Sequence, residues 1–312
     1  MSQSERVGVL LMAYGTPETI DQVEPYFTDV RGGRKPSPQQ LSRLVERYRA
    51  IGGRSPLLEI TRRQVAGLQQ LLDTKADLGV YRVHLGMRHW QPRISTAVEQ
   101  IVREGASRLV TIALAPHYSR LSVGAYNAAV HEAVQRCGDR IAIQTVDSWH
   151  DQPLFLELMA DRVKEGLGLL ASDSASVHVC FTAHSLPQRI LEWADPYPTE
   201  LLHSSQLVAE ACGLSQWSLA FQSASSTGEA WLGPSVEDRL RELANQAVKA
   251  VLIVPIGFVT DHLEILYDLD IECMALAREL GIELGRTRSL NDAPGLIAAL
   301  SALVRDRVEQ TT

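Results

Sequence analysis

Apolar runs rich in Val, Ile and Leu alternate with amphipathic segments along almost the whole chain, and this alternation limits the fold more than any other feature. The clearest runs are Val7–Ala13, Val80–Leu85, Leu109–Ala115, Ile141–Thr145, Val177–Thr182, Trp217–Gln222 and Ala250–Ile256. Because polar residues do not alternate within them, these runs are typical of strands covered on both faces. The helical segments include Pro38–Ala50, Ile60–Leu72, Ile94–Glu104, Tyr126–Arg136, Leu154–Leu169, Glu200–Ala211, Ser235–Gln246, His262–Leu280 and Ala293–Val308. This order predicts an α/β protein with parallel sheets and right-handed crossovers.

The two halves of the chain resemble each other. Runs in the first half end in MAYGTP, GMRHWQP and LAPHYS, and runs in the second half end in TAHSLP, FQSASS and VPIGFVTDH. A chain of 312 residues is about twice the length of an ordinary domain. We therefore predict two doubly wound lobes, residues 1–150 and 151–312, with functional residues at the carboxyl ends of the strands in a cleft between the lobes.

Composition and charge exclude several classes of protein. The net charge of −7 does not suit nucleic-acid binding, which needs clustered Lys and Arg. The first residues do not resemble a signal peptide, and no run reaches the length of a membrane span, so we expect a cytoplasmic protein without integral membrane association. The cysteines Cys137, Cys180, Cys212 and Cys273 are far apart, which predicts neither a disulfide framework nor a zinc site.

His184 directly follows the run VHVCFTA and lies in the sequence His-Ser-Leu-Pro. Pro187 prevents the strand from continuing, so the histidine should lie at the cleft. A neutral imidazole there can bind a metal ion or accept a proton near pH 7. A single histidine is also often structural, and its position brings the two interpretations to about even.

Three carboxylates follow the last long apolar run. Glu264, Asp268 and Glu272 are spaced four residues apart, which places them in one row on a helix. Like charges at this spacing destabilise a helix by about 0.2–0.5 kcal/mol per pair. A row of oxygen ligands suits divalent cations, so we favour a path for a metal ion over a solvated acidic face.

Other candidate residues are ambiguous on chemistry alone. Tyr14 follows the first apolar run, where Gly15 and Pro17 predict a turn, and it could pack, donate a hydrogen bond or bind a metal ion. The basic segment from Arg31 and the following Arg47 suit ligands that carry carboxylates, although both could be solvated. The motifs of nucleotide-binding proteins and serine hydrolases do not appear, so we expect no nucleotide cofactor.

Taken together, MAYGTP, LAPHYS, TAHSLP, WLGP and GFVTDHLEILYD resemble the ferrochelatases, in the same order and over nearly the whole chain. The form of the motif with tyrosine, MAYG, resembles that of the coproporphyrin ferrochelatases of Gram-positive-type bacteria. The resemblance implies two Rossmann-like lobes with a porphyrin in the cleft, and insertion of ferrous iron into coproporphyrin III. Ferrous iron is then a substrate.

The resemblance also implies roles for individual residues. His184 and Glu264 would form the pair that handles iron and protons, with Tyr14 approaching iron from the opposite face and Asp268 and Glu272 leading iron inward. The residues implied to contact the porphyrin and its propionates are Tyr14, Arg31, Arg47, Tyr48, Ser55 and Tyr126. A transient partner that receives the haem product is expected from the family.

The chain departs from the family pattern in two places. The loop SASSTGEA at 223–230 lacks the Arg and Pro that many relatives show there. The scattered cysteines do not suit the iron–sulfur cluster that some relatives carry, so we expect none.

Several alternatives remain open on the sequence. One is a protoporphyrin IX ferrochelatase, and another is a cobalt or nickel tetrapyrrole chelatase, although such enzymes often have a second histidine where this chain has Glu264. A porphyrin or haem carrier is a non-enzymatic alternative, but a carrier has no need of the carboxylate row. A periplasmic-type metal-binding protein would need the signal peptide that the first residues do not resemble.

Overall fold

In the residues that the computed structural model describes, 6–74, 80–225 and 228–310, the strands form two parallel four-stranded sheets. The first sheet contains β1 Arg6–Ala13, β2 Val80–Met87, β3 Arg108–Ala113 and β4 Ala142–Val146, in the order β2-β1-β3-β4. The second contains β5 His178–His184, β6 Trp217–Gln222, β7 Ala250–Val254 and β8 Glu283–Arg286, in the order β6-β5-β7-β8. The two halves thus repeat one strand order, as their similar strand endings suggested.

Helices connect the strands and cover both sheets. They are α1 Val23–Val30, α2 Pro38–Ala50, α3 Leu57–Asp73, α4 Ile94–Arg103, α5 Val123–Arg136, α6 Pro153–Leu167, α7 Tyr197–Cys212, α8 Val236–Asn245, α9 Met274–Leu280 and α10 Pro294–Glu309. A π-helix, Ile265–Cys273, leads directly into α9, and short 3-10 turns lie at Ile20–Gln22, Ser174–Ser176 and Gln188–Trp193. None of the helices in the described part of the chain is long and apolar enough to cross a membrane.

Local sequence signals explain several helix ends. At the start of α2, Ser37 accepts a hydrogen bond from the backbone of Gln40 (3.2 Å), and the Gln40 side chain accepts one from the backbone of Ser37 (3.0 Å). This reciprocal arrangement satisfies two backbone donors that would otherwise lack partners. Gly213 ends α7 in the left-handed conformation (φ 64°), which glycine adopts at low cost.

The two sheets share a hydrophobic core. The largest buried cluster contains Val9 and Val110 from the first sheet together with Phe181 and Leu252 from the second. The last helix, α10, packs against α3, β3 and β4 of the first half. The strands of the two sheets lie within residues 6–146 and 178–286, and the lobe boundary at residue 150 stays a prediction.

The prediction of an α/β fold with parallel sheets is confirmed, but the structure differs from the prediction in several local features. The sequence analysis did not predict α1 or β8, which are short elements of eight and four residues. It also predicted one α-helix over His262–Leu280, whereas the structure has a π-helix over Ile265–Cys273. Apolar spacing does not show whether a backbone N–H bonds to the fourth or the fifth preceding carbonyl, and π-helical turns are frequent at functional sites.

Candidate active site

His184 and Glu264 face each other at the carboxyl edge of the second sheet. His184 is the last residue of β5, and its Nε2 lies 3.5 Å from Oε1 of Glu264. The other ring nitrogen, Nδ1, donates a hydrogen bond to the carbonyl of Ser185, and the hydroxyl of Tyr197 donates one to the carbonyl of His184 (2.9 Å). These contacts fix both the backbone and the ring, so Nε2 is held towards the carboxylate.

A close passage between two chain segments brings the pair together. A Cβ atom on Gly257 would lie 2.6 Å from the Cβ of Ala183, so only glycine lets the chain after β7 cross β5 here. The backbone N–H of Gly257 donates to the carbonyl of Thr182 (3.1 Å). The side-chain amide of Gln222, at the end of β6, donates to the carbonyl of Glu264 (3.2 Å). The second sheet therefore positions Glu264 as well as His184.

The pair is charged at neutral pH. Burial by itself lowers the pKa of His184, but the Glu264 carboxylate and the Ser185 carbonyl outweigh it and raise the pKa to about 9. Burial would raise the pKa of Glu264, but His184 and the nearby His262, whose Nε2 lies 3.5 Å from Oε2, hold it well below its ordinary value. The sequence analysis assumed a neutral imidazole, whereas the ligand-free protein favours imidazolium beside carboxylate. A cation that enters here must displace that proton.

The carboxylate row continues along the π-helix, but its members differ in burial and in their hydrogen-bond partners. Asp268 is 5% exposed, and it accepts hydrogen bonds from Arg47 and Ser223. Burial raises the pKa of Asp268, with a further contribution from Glu264. Burial and the charge of Asp268 also raise the pKa of Glu272. The row is therefore electrostatically connected, and its middle member already has a cationic partner.

Tyr14 reaches the same region from the first sheet. It follows β1, is 43% exposed, and its ring centroid lies 4.6 Å from that of His89. Although the side chain is partly exposed, the surrounding protein removes water from the phenol, and this desolvation and the Glu264 carboxylate raise its pKa to about 12, so the ligand-free protein holds it neutral. The turn depends on Gly15 (φ 98°), where a Cβ would lie 2.9 Å from the backbone nitrogen of Trp90. Tyr14 is close enough to Glu264 for electrostatic interaction across the cleft.

Comparison with known proteins decides the family. The family model for ferrochelatases matches residues 6–308. The chain belongs to the ferrochelatase family. Its members are lyases that insert ferrous iron into a porphyrin. The resemblance that the motifs indicated is thus confirmed.

Curated ferrochelatases match over almost their full length. A ferrochelatase of Herpetosiphon aurantiacus is 48% identical over 302 residues, covering 96% of this chain and 99% of the relative. The coproporphyrin III ferrochelatases of Halalkalibacterium halodurans and Bacillus subtilis are 41% and 40% identical, covering 98% and 96% of this chain and 98% and 97% of theirs.

Among solved structures, SirB from Bacillus subtilis with Fe3+ has a TM-score of 0.61 at 12% identity, covering 98% of this chain and 97% of that chain. A sirohydrochlorin chelatase SirB in complex with cobalt has a TM-score of 0.58 at the same identity. These likenesses show the chelatase-like fold alone. They confirm the predicted pair of Rossmann-like lobes.

The residues implied to contact the porphyrin fall into two groups in this ferrochelatase. Arg31 follows α1, with its guanidinium 5.5 Å from the ring centroid of Phe27, and Arg47 stacks over Tyr267 at 4.8 Å. These cations are accessible, since each lies at least partly exposed. Their positions are compatible with binding carboxylates.

The second group is buried. Tyr48 is 2% exposed, and its hydroxyl is paired with that of Thr16 (3.1 Å). Ser55 is 8% exposed and accepts from the backbone of Leu57, while Tyr126 is 6% exposed. In the ligand-free structure these side chains are enclosed by the protein. Their contact with porphyrin stays a prediction.

Sequence reasoning missed some polar residues of the site. His262 lies beside Glu264, and its two-residue spacing from that carboxylate was a usable signal. His89 pairs with Asp29 (2.9 Å), which Arg93 also binds through two hydrogen bonds of 3.0 and 2.8 Å. No local signal links residues so distant in sequence. Of the loop 223–230, Ser226 and Thr227 lie outside the described residues.

No group of three or more His, Cys, Asp or Glu side chains in the described ranges could hold a metal ion by itself. The four cysteines are free thiols. A metal ion at His184 and Glu264 would therefore need further ligands from outside these residue types, such as the porphyrin nitrogens or the Tyr14 phenol.

Proposed function

We propose that this ferrochelatase inserts ferrous iron into coproporphyrin III, giving coprohaem. The observation that carries the proposal is the His184–Glu264 pair, with 3.5 Å between Nε2 and Oε1, at the strand ends of a ferrochelatase fold. Relatives at about 40% identity that carry the name coproporphyrin III ferrochelatase support the choice of porphyrin.

Glu264 would be the first protein ligand of the entering iron. Its pKa lies well below the ordinary value, so the carboxylate is anionic throughout the neutral range. Oxygen ligands and imidazole both suit ferrous iron. Iron bound between Glu264 and His184 would take the place of the proton that the carboxylate now stabilises on His184. Glu272 and Asp268 would attract the hydrated cation towards this pair. The Arg47 contact limits how strongly Asp268 can retain it.

The reaction must also remove two pyrrole protons. His184 has a pKa of about 9 in the ligand-free protein, and it would pass its proton through Glu264 and the carboxylate row to solvent as iron enters. When iron leaves Nε2 for the porphyrin, that nitrogen would accept a proton from a pyrrole nitrogen. Asp268 and Glu272, whose pKa values are raised, are suited to accept protons and release them to solvent. Glu264 would connect these acceptors to His184. The neutral phenol of Tyr14 would approach iron from the opposite face.

Binding of the propionates would supply the energy that distorts the macrocycle. A flat porphyrin resists metal entry, and remote binding energy can produce about 1–5 kcal/mol of strain. Arg31 and Arg47 are the guanidinium groups among the residues implied to contact the porphyrin, and guanidinium pairs bidentately with carboxylate. Arg47 already binds Asp268, so Arg31 is the better placed of the two. Coproporphyrin III carries propionates where protoporphyrin IX has vinyl groups, so these arginines would favour the tetracarboxylate.

We also propose that the enzyme acts in the cytoplasm without a nucleotide or an iron–sulfur cluster. The chain has none of the nucleotide-binding motifs, and its cysteines are dispersed. Delivery of coprohaem to a downstream haem-pathway enzyme would follow from the family resemblance.

Anaerobic metallation with two porphyrins tests the proposal. Purified protein is mixed with ferrous iron and either coproporphyrin III or protoporphyrin IX, and product formation is followed by absorbance. We expect faster turnover with coproporphyrin III than with protoporphyrin IX. The Arg31→Glu substitution should reduce turnover of coproporphyrin III. Equal turnover with both porphyrins would contradict the substrate assignment, and binding without metallation by iron, cobalt or nickel would indicate a carrier.

A further inference from the structure

Two histidines outside the active site present ring nitrogens to each other at the protein surface. His150 lies in the loop between β4 and α6, and His203 lies on α7. The Nε2 atom of His150 is 3.1 Å from the Nδ1 atom of His203, and the ring planes are inclined by 64°. His203 is exposed and His150 is partly buried, so the space beside the two nitrogens is open to solvent.

A relay behind His150 fixes its tautomer. The hydroxyl of Ser148 lies 2.8 Å from Nδ1 of His150 and 2.8 Å from Oε2 of Glu200. The carboxylate is a stronger acceptor than the carbonyl of Pro116 at 3.2 Å, so Ser148 donates its proton to Glu200. Ser148 must then accept a hydrogen bond from Nδ1–H of His150. The lone pair of His150 therefore lies on Nε2, directed at His203.

The site is held rigidly. The neighbouring Trp149 is 1% exposed, its indole N–H donates to the carbonyl of Ala113 (3.0 Å), and its backbone N–H donates to that of Pro116 (2.9 Å). On α7, Glu200 and His203 are separated by one helical turn and share a face. Glu200 is also fixed, because its Oε2 accepts a hydrogen bond from the backbone of Tyr118 (2.6 Å). The His150 imidazole is thus placed before any ligand arrives, and the His203 imidazole is held to it by their hydrogen bond.

We propose that His150 and His203 form a second binding site, for a late first-row divalent cation such as Zn²⁺ or Cu²⁺, with water completing the coordination. Zinc–nitrogen bonds of about 2.05 Å at a tetrahedral angle place two imidazole nitrogens about 3.3 Å apart, close to the 3.1 Å observed. Carboxylate–serine–histidine support of this kind orients a metal-binding imidazole and fixes its tautomer.

Metal binding at this site requires a change of tautomer at His203 and a rotation of the rings that turns both nitrogens towards one point beside the present hydrogen bond. In the metal-free protein, Nδ1–H of His203 donates to Nε2 of His150. When the cation binds, that proton leaves Nδ1 for water and Nε2 takes up a proton from water, so the number of protons on the ring does not change. Two metal–nitrogen bonds replace one hydrogen bond. The ligands are two imidazoles, whereas the active-site pair offers one imidazole and one carboxylate.

Zinc binding to the full chain tests the proposal. The His184→Ala/Glu264→Gln double variant removes the active-site pair, and titration calorimetry then measures the remaining Zn²⁺ stoichiometry. We expect one equivalent to remain. Loss of all Zn²⁺ binding in this variant, with an unchanged melting temperature, would overturn the proposal.

Further substitutions in that background locate the remaining equivalent. Either His150→Ala or the exposed His203→Ala should abolish it, and Ser148→Ala should weaken Zn²⁺ affinity about 10–100-fold. His131→Ala, which changes an exposed histidine on α5, is the matched control and should bind normally. With Cu²⁺, electron paramagnetic resonance should show coupling to two nitrogens. Retention of the equivalent after His203→Ala would overturn the assignment.

Discussion

Replacing Glu264 by glutamine should lower the pKa of His184, because the carboxylate is the main cause that raises it to about 9. An opposite charge at short range shifts a pKa by about 1–3 units. His184 and Glu264 side chains are 32% and 30% exposed, so solvent screens the pair and the lower part of that range applies. We expect a decrease of about 1–2 units, which corresponds to about 1.4–2.7 kcal/mol.

Imidazole NMR of the ligand-free protein measures this change directly. With histidine labelled with ¹³C at Cε1, the signal of His184 is assigned by its absence in His184→Ala. Its titration midpoint should lie near pH 9 in the unmodified protein and about 1–2 units lower in Glu264→Gln. Glu272→Gln is the matched control, because Glu272 is not among the groups that shift His184, and it should leave the midpoint unchanged. An unchanged midpoint in Glu264→Gln would refute the ion-pair account.

Three further predictions follow from the same contacts. Folding raises the pKa of His184 from 6.5 to about 9, so between pH 6.5 and 9 the folded protein binds a proton that the unfolded chain has lost. The stability of the ligand-free protein should therefore fall as the pH rises from 6.5 to 9. Urea unfolding should show this fall, and His184→Ala should abolish it. Arg47→Ala leaves the buried Asp268 without its cation, so it should lower the free energy of unfolding by about 1–3 kcal/mol and raise the pKa of Asp268 further; wild-type stability would contradict the pairing. Gly257→Ala would place a Cβ 2.6 Å from a Cβ of β5, and it should cost about 1–3 kcal/mol and slow metallation; a neutral effect in both assays would show that the crossing does not position the active-site pair.

The sheets were predictable because a buried parallel strand requires a nearly continuous apolar run. Such runs mark β1, β3, β5 and β7, which lie inside the two sheets. The short edge strand β8 carries half-exposed residues and a glycine, so it lacks that pattern. The starts of α3, α5 and α7 lie three residues before the predicted ones, and their first residues, Leu57, Val123 and Tyr197, are buried, so the predicted helices were too short. The π-helix depends on backbone hydrogen bonding that side-chain periodicity does not reveal.

The active site was predictable to the extent that strand ends converge. His184 ends one strand of the second sheet and Glu264 follows another, and strand ends of a parallel sheet lie at the same edge. The pairing of Asp268 with Arg47 joins residues 221 positions apart, which no local pattern encodes. The burial of Tyr48 likewise depends on the packing of α2 against Val23 and Leu263. Their roles towards porphyrin stay predictions until they are measured.

Single-turnover metallation tests the central claim most directly. Enzyme saturated with coproporphyrin III is mixed anaerobically with ferrous iron, and coprohaem formation is followed by stopped-flow absorbance in the unmodified protein, His184→Ala and Glu264→Gln, with porphyrin affinity measured separately. Both variants should bind the porphyrin normally but insert iron much more slowly. Insertion at the unmodified rate in both variants would contradict the claim that the His184–Glu264 pair performs metallation.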